Sequence, residues 1–335
     1  MEFFTPSGGH FNGTSKIKRI DNLRDPILSV FGRKYGRETV NRWYFGQLVY
    51  VELQVNRLGS VDVDQIIYDD LETAFDGVAE DYDRHIFGNP INTWLRDVST
   101  SVMSEVFKPT STILEIGCGT GAETLTLAKR GVNVIASDIS SKMLEVLVRK
   151  AKIEGVEDKV IPIHCRPPEL TEKIRNMGYD RIDGAYSTYG AINTEPNLPR
   201  LVINLRSLLK EGSPFLVGVW NKYCIYEIFG YLMKMRRGMA FARLKNPVPI
   251  GKSRFCVATN AFSVRSIDQF LKPYFRRKSV YGVVISLPPS NLTKYLPTGR
   301  VLSKAKQFDL ALGRIFPFNR LGDHFLALYV LNNGI

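Results

Sequence analysis

The stretch EIGCGTGAET, residues 115 to 124, has the residue types of a turn that holds a nucleotide. Glycines at 117, 119 and 121 let the backbone approach a ligand closely, and such turns join a strand to a helix. A pyrophosphate-binding turn reads G-x-G-x-x-G, whereas the last two glycines here stand one residue closer together. No Gly-Lys-Ser/Thr follows, as a triphosphate-binding turn requires. On its own, the stretch could also be a turn that only packs a helix on a strand.

A carboxylate at the end of the next predicted strand adds a second contact. Asp138 ends VNVIASD, 17 residues beyond Gly121. In a doubly wound sheet this strand end lies beside the glycine turn, where an acid can accept both hydroxyls of a ribose. Ile139, the next residue, can cover one face of an adenine. The two features together favour an adenosyl group that carries no phosphate.

The elements that must position these residues alternate between strand and helix patterns. The predicted strands are STILEI, VNVIASD, KVIPIH, RIDGAYS and SPFLVGVW. Helix patterns separate most of them, with Ser140 as a predicted N-cap and with Gly131 and Gly155 as predicted C-terminal glycines. Short turns between such elements predict right-handed crossovers and a parallel sheet that is covered on both faces. SVYGVVISL and DHFLALYVL add two strands, which gives a doubly wound, mostly parallel, seven-stranded α/β sheet.

The chain divides into an N-terminal extension, 1–65, and one large domain, 66–335. In the extension, residues 36–59 predict a helix, so that we expect a helical N-terminal part. Two further helix patterns, DDLETAFDGVAEDYDRHI and NTWLRDVSTSVMSEVF, lead into the first strand. After the fifth strand the alternation stops, and 221–279 is an insertion before the sixth strand, with a possible strand RFCVAT. We expect this insertion to act as a lid over an acceptor site.

Four segments resemble a known family. ILEIGCGTGAETLTLAKRG, VIASDISSKMLEV, YDRIDGAYSTYGAIN and LKEGSPFLV are similar to the first, second, fourth and fifth signature segments of class I S-adenosylmethionine-dependent methyltransferases. The resemblance covers residues 69 to 220, and it implies a Rossmann-like fold with S-adenosyl-L-methionine as cofactor. It implies cofactor contacts by these residues: Glu115, Gly117, Cys118, Gly119, Gly121, Asp138, Ile139, Met143 and Ser187. It also implies that Tyr82 closes over the cofactor and that Arg96 pairs with its carboxylate, although Arg96 could instead face solvent.

One position departs from the family pattern. After the third strand the family carries an acid that accepts the adenine amino group, but HCRPPEL places Arg166 there. Because a guanidinium cannot accept a hydrogen bond, backbone atoms, Glu169 or packing must recognise the adenine.

The methyl acceptor has weaker signals than the cofactor. Candidate acid–base groups are Tyr186, Tyr189, His85 and His324, and we favour Tyr189, which follows the fourth strand, and His324, in GDHF. The turn after the fourth strand reads STYG, which matches neither the Pro-Pro turn of DNA amino-methylation nor the nucleophilic cysteine of cytosine chemistry. The apolar insertion suits a small hydrophobic, aromatic or lipid-like acceptor.

Charge and composition leave several partners open. The 335 residues carry a formal net charge of +12, and much of this excess lies in 222–254. This basic segment fits an acidic acceptor or contact with an anionic membrane surface, and a homodimer is also open. RNA or protein methylation and a non-catalytic cofactor-binding role are the alternatives, with nucleic acid the less favoured partner. The cysteines and histidines show no metal-site spacing, and MEFFTPSGGH has no signal-peptide pattern, so we expect a soluble cytoplasmic protein without a metal.

Overall fold

A computed structural model describes most of the chain, in two compact units that divide between Asp69 and Asp70. The described residues are 2–4, 9–20, 48–60, 63–245, 247–248, 257 and 259–333. In the first unit, β1 (Glu2–Phe4), β2 (Gly9–Ile20) and β3 (Leu48–Ser60) form an antiparallel sheet in that order.

The helix predicted over 36–59 is wrong for its described part. Leu48–Ser60 is a strand, and it pairs along its whole length with β2. Val49, Val51, Leu53 and Val55 alternate with other residues, and this period of two suits a pleated strand. Residues 36–47 of that prediction lie outside the described residues.

Three helices lead into the large sheet: α1 (Val63–Asp76), α2 (Tyr82–Phe87) and α3 (Pro90–Val106). The second predicted lead-in pattern is one helix, whereas the first is divided between α1 and α2 by a turn after Asp76 and a short 3-10 segment, Ala79–Asp81. In α3 the Asn89 side chain accepts a hydrogen bond from the Ile91 N–H at 3.0 Å, and Pro90 occupies the first turn, where its missing N–H leaves no bond unmade.

The large sheet has seven strands, and it confirms the predicted fold. Its strands are β4 (Thr112–Ile116), β5 (Asn133–Asp138), β6 (Val160–His164), β7 (Gly184–Ser187), β8 (Pro214–Trp220), β9 (Phe275–Val283) and β10 (His324–Leu331). The spatial order is β6-β5-β4-β7-β8-β10-β9. The strands from β6 to β8 pair in parallel, and β10 runs antiparallel to both β8 and β9.

Helices cover both faces of this sheet. They are α4 (Ala122–Ala128), α5 (Ser141–Ile153), α6 (Leu170–Asn176), α7 (Ala191–Thr194), α8 (Leu198–Leu208), α9 (Ile225–Met233), α10 (Arg237–Ala240), α11 (Val264–Leu271) and α12 (Gly299–Gly313). Successive strand residues enter different cores: Ile113 packs in one hydrophobic cluster and Leu114 in the other. Burial on both faces explains why the strands read as continuous apolar runs.

The predicted helix ends are confirmed where the sequence marked them. Ser140 caps α5, with its side chain accepting the Met143 N–H at 3.1 Å. Gly131 and Gly155 follow α4 and α5 with φ of +83° and +66°, a conformation that favours glycine.

The region after β8 differs in detail from the prediction. The sixth strand begins at Phe275 rather than at 279, and α12 was not predicted. The possible strand RFCVAT lies largely outside the described residues. Within the described part of the chain, no helix is both long enough and apolar enough to cross a membrane.

Candidate functional site

The glycine turn follows β4 at the carboxyl end of the parallel strands. Gly117, Gly119 and Gly121 all have positive φ, at +73°, +54° and +80°. A Cβ on Gly117 would lie 2.4 Å from the Ala191 Cβ, and a Cβ on Gly121 would lie 2.1 Å from Leu147 Cδ1. A Cβ on Gly119 would meet nothing nearer than Tyr82 Cε1, at 3.9 Å. Gly117 and Gly121 therefore permit close packing, whereas Gly119 faces open space.

Asp138 ends β5 beside this turn, as predicted from the topology. Its Oδ2 accepts the Gly119 N–H at 2.7 Å, and its Oδ1 accepts the Ser140 N–H at 2.8 Å. Burial raises the pKa of Asp138, and the two N–H donors oppose that rise. Each carboxylate oxygen has a second lone pair, so the geometry leaves acceptor capacity for a ribose hydroxyl on each oxygen.

A small pocket opens over the glycine turn. It is lined by Tyr82, Arg96, Gly117, Cys118, Gly119, Thr120, Ala122, Glu123, Thr188 and Tyr189. Six of these were predicted as site residues. Thr120, Ala122, Glu123 and Thr188 were not, although each lies within the glycine turn, at the start of α4 or directly after β7. Continuing the predicted turn by a few residues would have found them.

Arg96 lies against this pocket, paired with Glu123 rather than facing solvent. The Arg96 guanidinium is ion-paired with the Glu123 carboxylate, and only 14% and 5% of their side-chain surfaces are exposed. The guanidinium carbon also lies 5.3 Å from the ring centroid of Tyr189 and 5.5 Å from that of Phe87. The Arg96 guanidinium is therefore held in place at the pocket wall, with the Glu123 carboxylate beside it.

Tyr189 places its ring in the pocket and its hydroxyl against α3. The hydroxyl is hydrogen-bonded to the Leu95 carbonyl and to Ser99 Oγ, the latter at 2.7 Å. Burial raises the pKa of the Tyr189 phenol far above its ordinary value. The oxygen predicted to act as an acid or base is thus engaged inside the protein, and the ring is the part that reaches the pocket.

His324 begins β10 next to Tyr189. Its Nδ1 lies 3.0 Å from Asp323 Oδ2, and its ring meets the Tyr189 ring edge-on with 5.8 Å between centroids. A carboxylate at Nδ1 holds the proton there, so that Nε2 is the ring nitrogen able to accept one. Asp323 was not singled out from the sequence, although it precedes His324 in GDHF.

A buried cluster holds Asp323 in place. Arg243 Nη2 lies 2.5 Å from Asp323 Oδ1, and Arg243 Nε lies 2.7 Å from Glu227 Oε2. The Arg243 guanidinium also stacks over the Trp220 ring, 4.5 Å from its centroid. Although burial alone would raise the pKa of Asp323, Arg243 and His324 together hold it well below the ordinary value. The predicted insertion thus supplies a charge that anchors the partner of His324.

The remaining predicted cofactor residues lie around the turn but do not line the pocket. Glu115 is buried under it, and its Oε2 accepts the Tyr186 hydroxyl at 2.6 Å and the Thr124 hydroxyl. Ser187 donates to the Ile116 carbonyl at 2.9 Å, and Met143 is buried among residues that include Tyr82. Cys118, which does line the pocket, is buried with a free thiol. The side chain of His85 is outside the described part of the chain.

The residues at and just after the end of β6, where the family resemblance places the adenine, carry an ion pair with α1. Arg166 Nη2 lies 3.1 Å from Glu72 Oε2, and His164 Nε2 lies 3.4 Å from the other oxygen of Glu72. The Arg166 N–H donates to Glu169 Oε2 at 3.3 Å, and His164 Nε2 is 2.8 Å from the Ile139 carbonyl oxygen. Glu72, from α1, thus brings to Arg166 the acid that the loop itself lacks.

The stability of the protein should depend on the protonation of Glu115. Burial, with repulsion from Glu123, raises the pKa of Glu115 from 4.5 to about 8. Between these values the folded state holds a proton that the unfolded state releases, so this contribution to stability decreases as pH rises. We expect Glu115→Gln to remove this pH dependence of stability. The free energy of unfolding of the variant should therefore rise relative to that of the wild type, by a few kcal/mol between pH 5 and 8.

Urea unfolding at several pH values measures this difference. Glu145→Gln, on an exposed face of α5, is the control and should keep the wild-type slope. Parallel curves for the wild type and Glu115→Gln would show that Glu115 is ionised in the folded state.

The comparisons with known proteins point to one family. Residues 113–212 match the family described as "Methyltransferase domain". Similar curated proteins are the mitochondrial ribosomal RNA small subunit methyltransferase of Arabidopsis thaliana, with 36% identity over 73 residues, and the tRNA 5-carboxymethoxyuridine methyltransferase of Escherichia coli K12, with 27% over 104 residues. These alignments cover 22% and 30% of this chain, and only 19% and 40% of those proteins.

The solved structures agree in fold. The CcbJ methyltransferase from Streptomyces caelestis has 15% sequence identity and a TM-score of 0.50, over 78% of this chain and 99% of that one. The matched family spans β4 through α8, and so it includes the glycine turn, Asp138 and the strand that precedes Tyr189. With its sheet order and its signature segments, the chain has the fold of the class I S-adenosylmethionine-dependent methyltransferases, and its methyltransferase domain implies S-adenosyl-L-methionine as cofactor.

Proposed function

We propose that this protein transfers the methyl group of S-adenosyl-L-methionine to a small hydrophobic, aromatic or lipid-like acceptor. The observation that carries the proposal is the pocket over the glycine turn. Tyr189 lines this pocket, and its ring contacts His324, which is paired with Asp323. The pocket combines open backbone at Gly119, the Arg96–Glu123 ion pair and the ring of Tyr189. These are the groups that an adenosyl sulfonium with a carboxylate requires.

Different residues of the chain bind different parts of the cofactor. Asp138 accepts the ribose hydroxyls through its free lone pairs, and the backbone at Gly119 allows close approach. Arg96 pairs with the methionine carboxylate through N–H groups not used by Glu123, since a guanidinium has five. Tyr82 covers the site from α2. Glu72, held by Arg166, accepts the adenine amino group in place of the usual loop acid.

The chemistry needs alignment and the removal of one proton. When bound, the cofactor supplies an electrophilic methyl group on a sulfonium, and sulfur keeps the electron pair of the broken bond. The acceptor atom forms the new bond to carbon, and its proton passes to Nε2 of His324. Asp323 stabilises the imidazolium that results. Holding the two reactants in line is worth roughly 7–11 kcal/mol in favourable cases, so no further nucleophile is required.

A second candidate acceptor is RNA. Both curated relatives named above carry RNA in their names, and the segment from 222 to 254 is strongly basic. Incubating cell extract with methyl-labelled cofactor separates the two: label in the lipid or small-molecule fraction supports the first candidate, and label in RNA supports the second. RNA binding that weakens steeply with salt would also favour the second.

Cofactor binding is tested by calorimetry and by one matched pair of glycine variants. We expect Gly119→Ala and Gly155→Ala each to lower the free energy of unfolding by about 1–2 kcal/mol, because both residues have positive φ. Only Gly119→Ala adds a methyl group at the pocket, so it alone should lose affinity for S-adenosyl-L-methionine, by about tenfold or more. The added Cβ at Gly155 would meet nothing within 4 Å.

Two results would overturn the proposal. If the wild type binds neither S-adenosyl-L-methionine nor S-adenosylhomocysteine at millimolar concentration, the pocket is not a cofactor site. If the Gly119 and Gly155 variants lose affinity equally, the loss comes from general destabilisation rather than from the pocket.

A further inference from the structure

Two segments far apart in the chain, 221–245 and 290–321, pack together to form one face, which we call the basic–apolar face. The Ile225 N–H donates to the Leu321 carbonyl at 2.9 Å, and Asn291 Nδ2 donates to Glu227 Oε1 at 2.8 Å. Lys234 Nζ donates to the Tyr295 hydroxyl at 2.6 Å. These contacts join α9 to both ends of the segment that contains α12, and that helix was not anticipated from the sequence.

The exposed charged residues that the two segments contribute to this face are all positive. Its exposed basic residues are Lys234, Arg236, Arg237, Lys245, Lys294, Arg300, Lys304 and Arg314. The acidic residues of the two segments are Glu227 and Asp309, and both are buried. Glu227 is neutralised by Arg243, and Asp309 accepts the backbone N–H groups of residues 284 to 286. A surface of this kind attracts an anionic partner.

The same face concentrates the exposed apolar side chains of the described residues. Nine large ones lie in 221–245 and seven in 290–321, whereas five lie elsewhere. The most exposed among those on the face are Met235, Met233, Phe316 and Phe229, at 89%, 75%, 69% and 66%. A cluster of this size on a monomer marks an interaction site rather than ordinary surface composition.

We propose that the basic–apolar face docks on an anionic membrane surface. Nine of its sixteen exposed apolar side chains are aliphatic or thioether groups, which can enter the acyl boundary of a bilayer. Such groups neither stack on bases nor hydrogen-bond, so they fit a nucleic acid poorly. The flanking lysines and arginines match anionic headgroups, each contributing about 1 kcal/mol near the surface. The proposal concerns binding alone and does not depend on the proposed methyl transfer.

Vesicle flotation of the full chain tests the proposal. We expect recovery with vesicles of phosphatidylcholine and phosphatidylserine in equal amounts, and none with phosphatidylcholine alone. Met233→Glu/Met235→Glu should abolish recovery, because it places charge where apolar contact is needed. Arg237→Gln/Lys304→Gln removes two positive charges and should lower the partition coefficient on the order of 25-fold.

Matched controls lie on another surface of the same domain. Lys152→Glu/Ile153→Glu changes two exposed residues at the end of α5 and matches the methionine variant. Arg130→Gln/Lys152→Gln removes two exposed basic residues and matches the charge variant. Both should bind anionic vesicles as the wild type does. Circular dichroism establishes that every variant is folded.

Several outcomes would overturn the proposal. Equal recovery on neutral vesicles would show that charge does not contribute to binding. Unchanged recovery of the face variants would show that the basic–apolar face is not the part that binds the membrane. If sedimentation shows a dimer that Met233→Glu/Met235→Glu dissociates, with no vesicle binding, the face joins two copies of this chain. If the face variants lose RNA binding instead, while wild type does not float, the partner is a nucleic acid.

Discussion

His324→Gln should transfer methyl groups about a hundredfold to ten-thousandfold more slowly than the wild type, with unchanged affinity for S-adenosyl-L-methionine. The variant keeps a polar side chain beside Asp323 but removes the nitrogen that would take the acceptor's proton. Because His324 does not line the cofactor pocket, binding of the cofactor should not change. Turnover of labelled cofactor and calorimetry measure the two quantities separately.

Tyr189→Phe is the matched variant for the other candidate base. Phenylalanine keeps the ring in the pocket and against His324, and loses only the hydroxyl that bonds to Leu95 and Ser99. We expect its rate to stay within a few-fold of the wild type. If Tyr189→Phe is inactive and His324→Gln is active, then the phenol, and not the imidazole, takes the proton.

Arg243→Met should lower the free energy of unfolding by about 3–5 kcal/mol. The change leaves the carboxylates of Glu227 and Asp323 buried without their positive partner. Urea unfolding at neutral pH measures the loss. Because Arg243 lowers the pKa of Asp323, its stabilisation is present above the ordinary value of 3.8 and is lost as pH falls further. The gap between variant and wild type should therefore narrow in acid.

Arg149→Met is the control for this second prediction. Arg149 pairs with Glu80 at 2.7 Å, but both side chains are more than half exposed, so its loss should lower the free energy of unfolding far less than the loss of Arg243 does. Equal losses for the two arginine variants would show that burial of the Arg243 cluster adds nothing to stability.

The parts of the site that the sequence predicted are the ones set by local geometry. Positive φ at Gly119 and Gly121 requires glycine, and a strand that ends in Asp138 places that acid beside them in any doubly wound sheet. Ser140 marks its helix by capping chemistry within three residues. These signals each lie within a few positions along the chain, which is why one sequence is enough to read them.

The parts that were missed depend on contacts between distant residues. Arg243 meets Asp323 across 80 positions, and Arg166 meets Glu72 across 94. The direction of the Tyr189 hydroxyl is likewise decided by α3, 90 positions earlier. Leu48–Ser60 has apolar residues at spacings compatible with either a helix or a strand, and the pairing with β2 decides between them.

The contact between Arg243 and Asp323 links two parts of the molecule that are far apart in the sequence: the insertion and the Asp323–His324 pair. Arg243 belongs to the insertion, in the short turn Ala242–Leu244, whereas Asp323 orients the imidazole of His324. Opening the insertion at this turn would separate Arg243 from the Asp323 carboxylate. Under the proposed function, entry of the acceptor and orientation of His324 would then depend on the same equilibrium. By thermodynamic reciprocity, if the closed turn favours the oriented imidazole, the oriented imidazole favours the closed turn by the same coupling free energy.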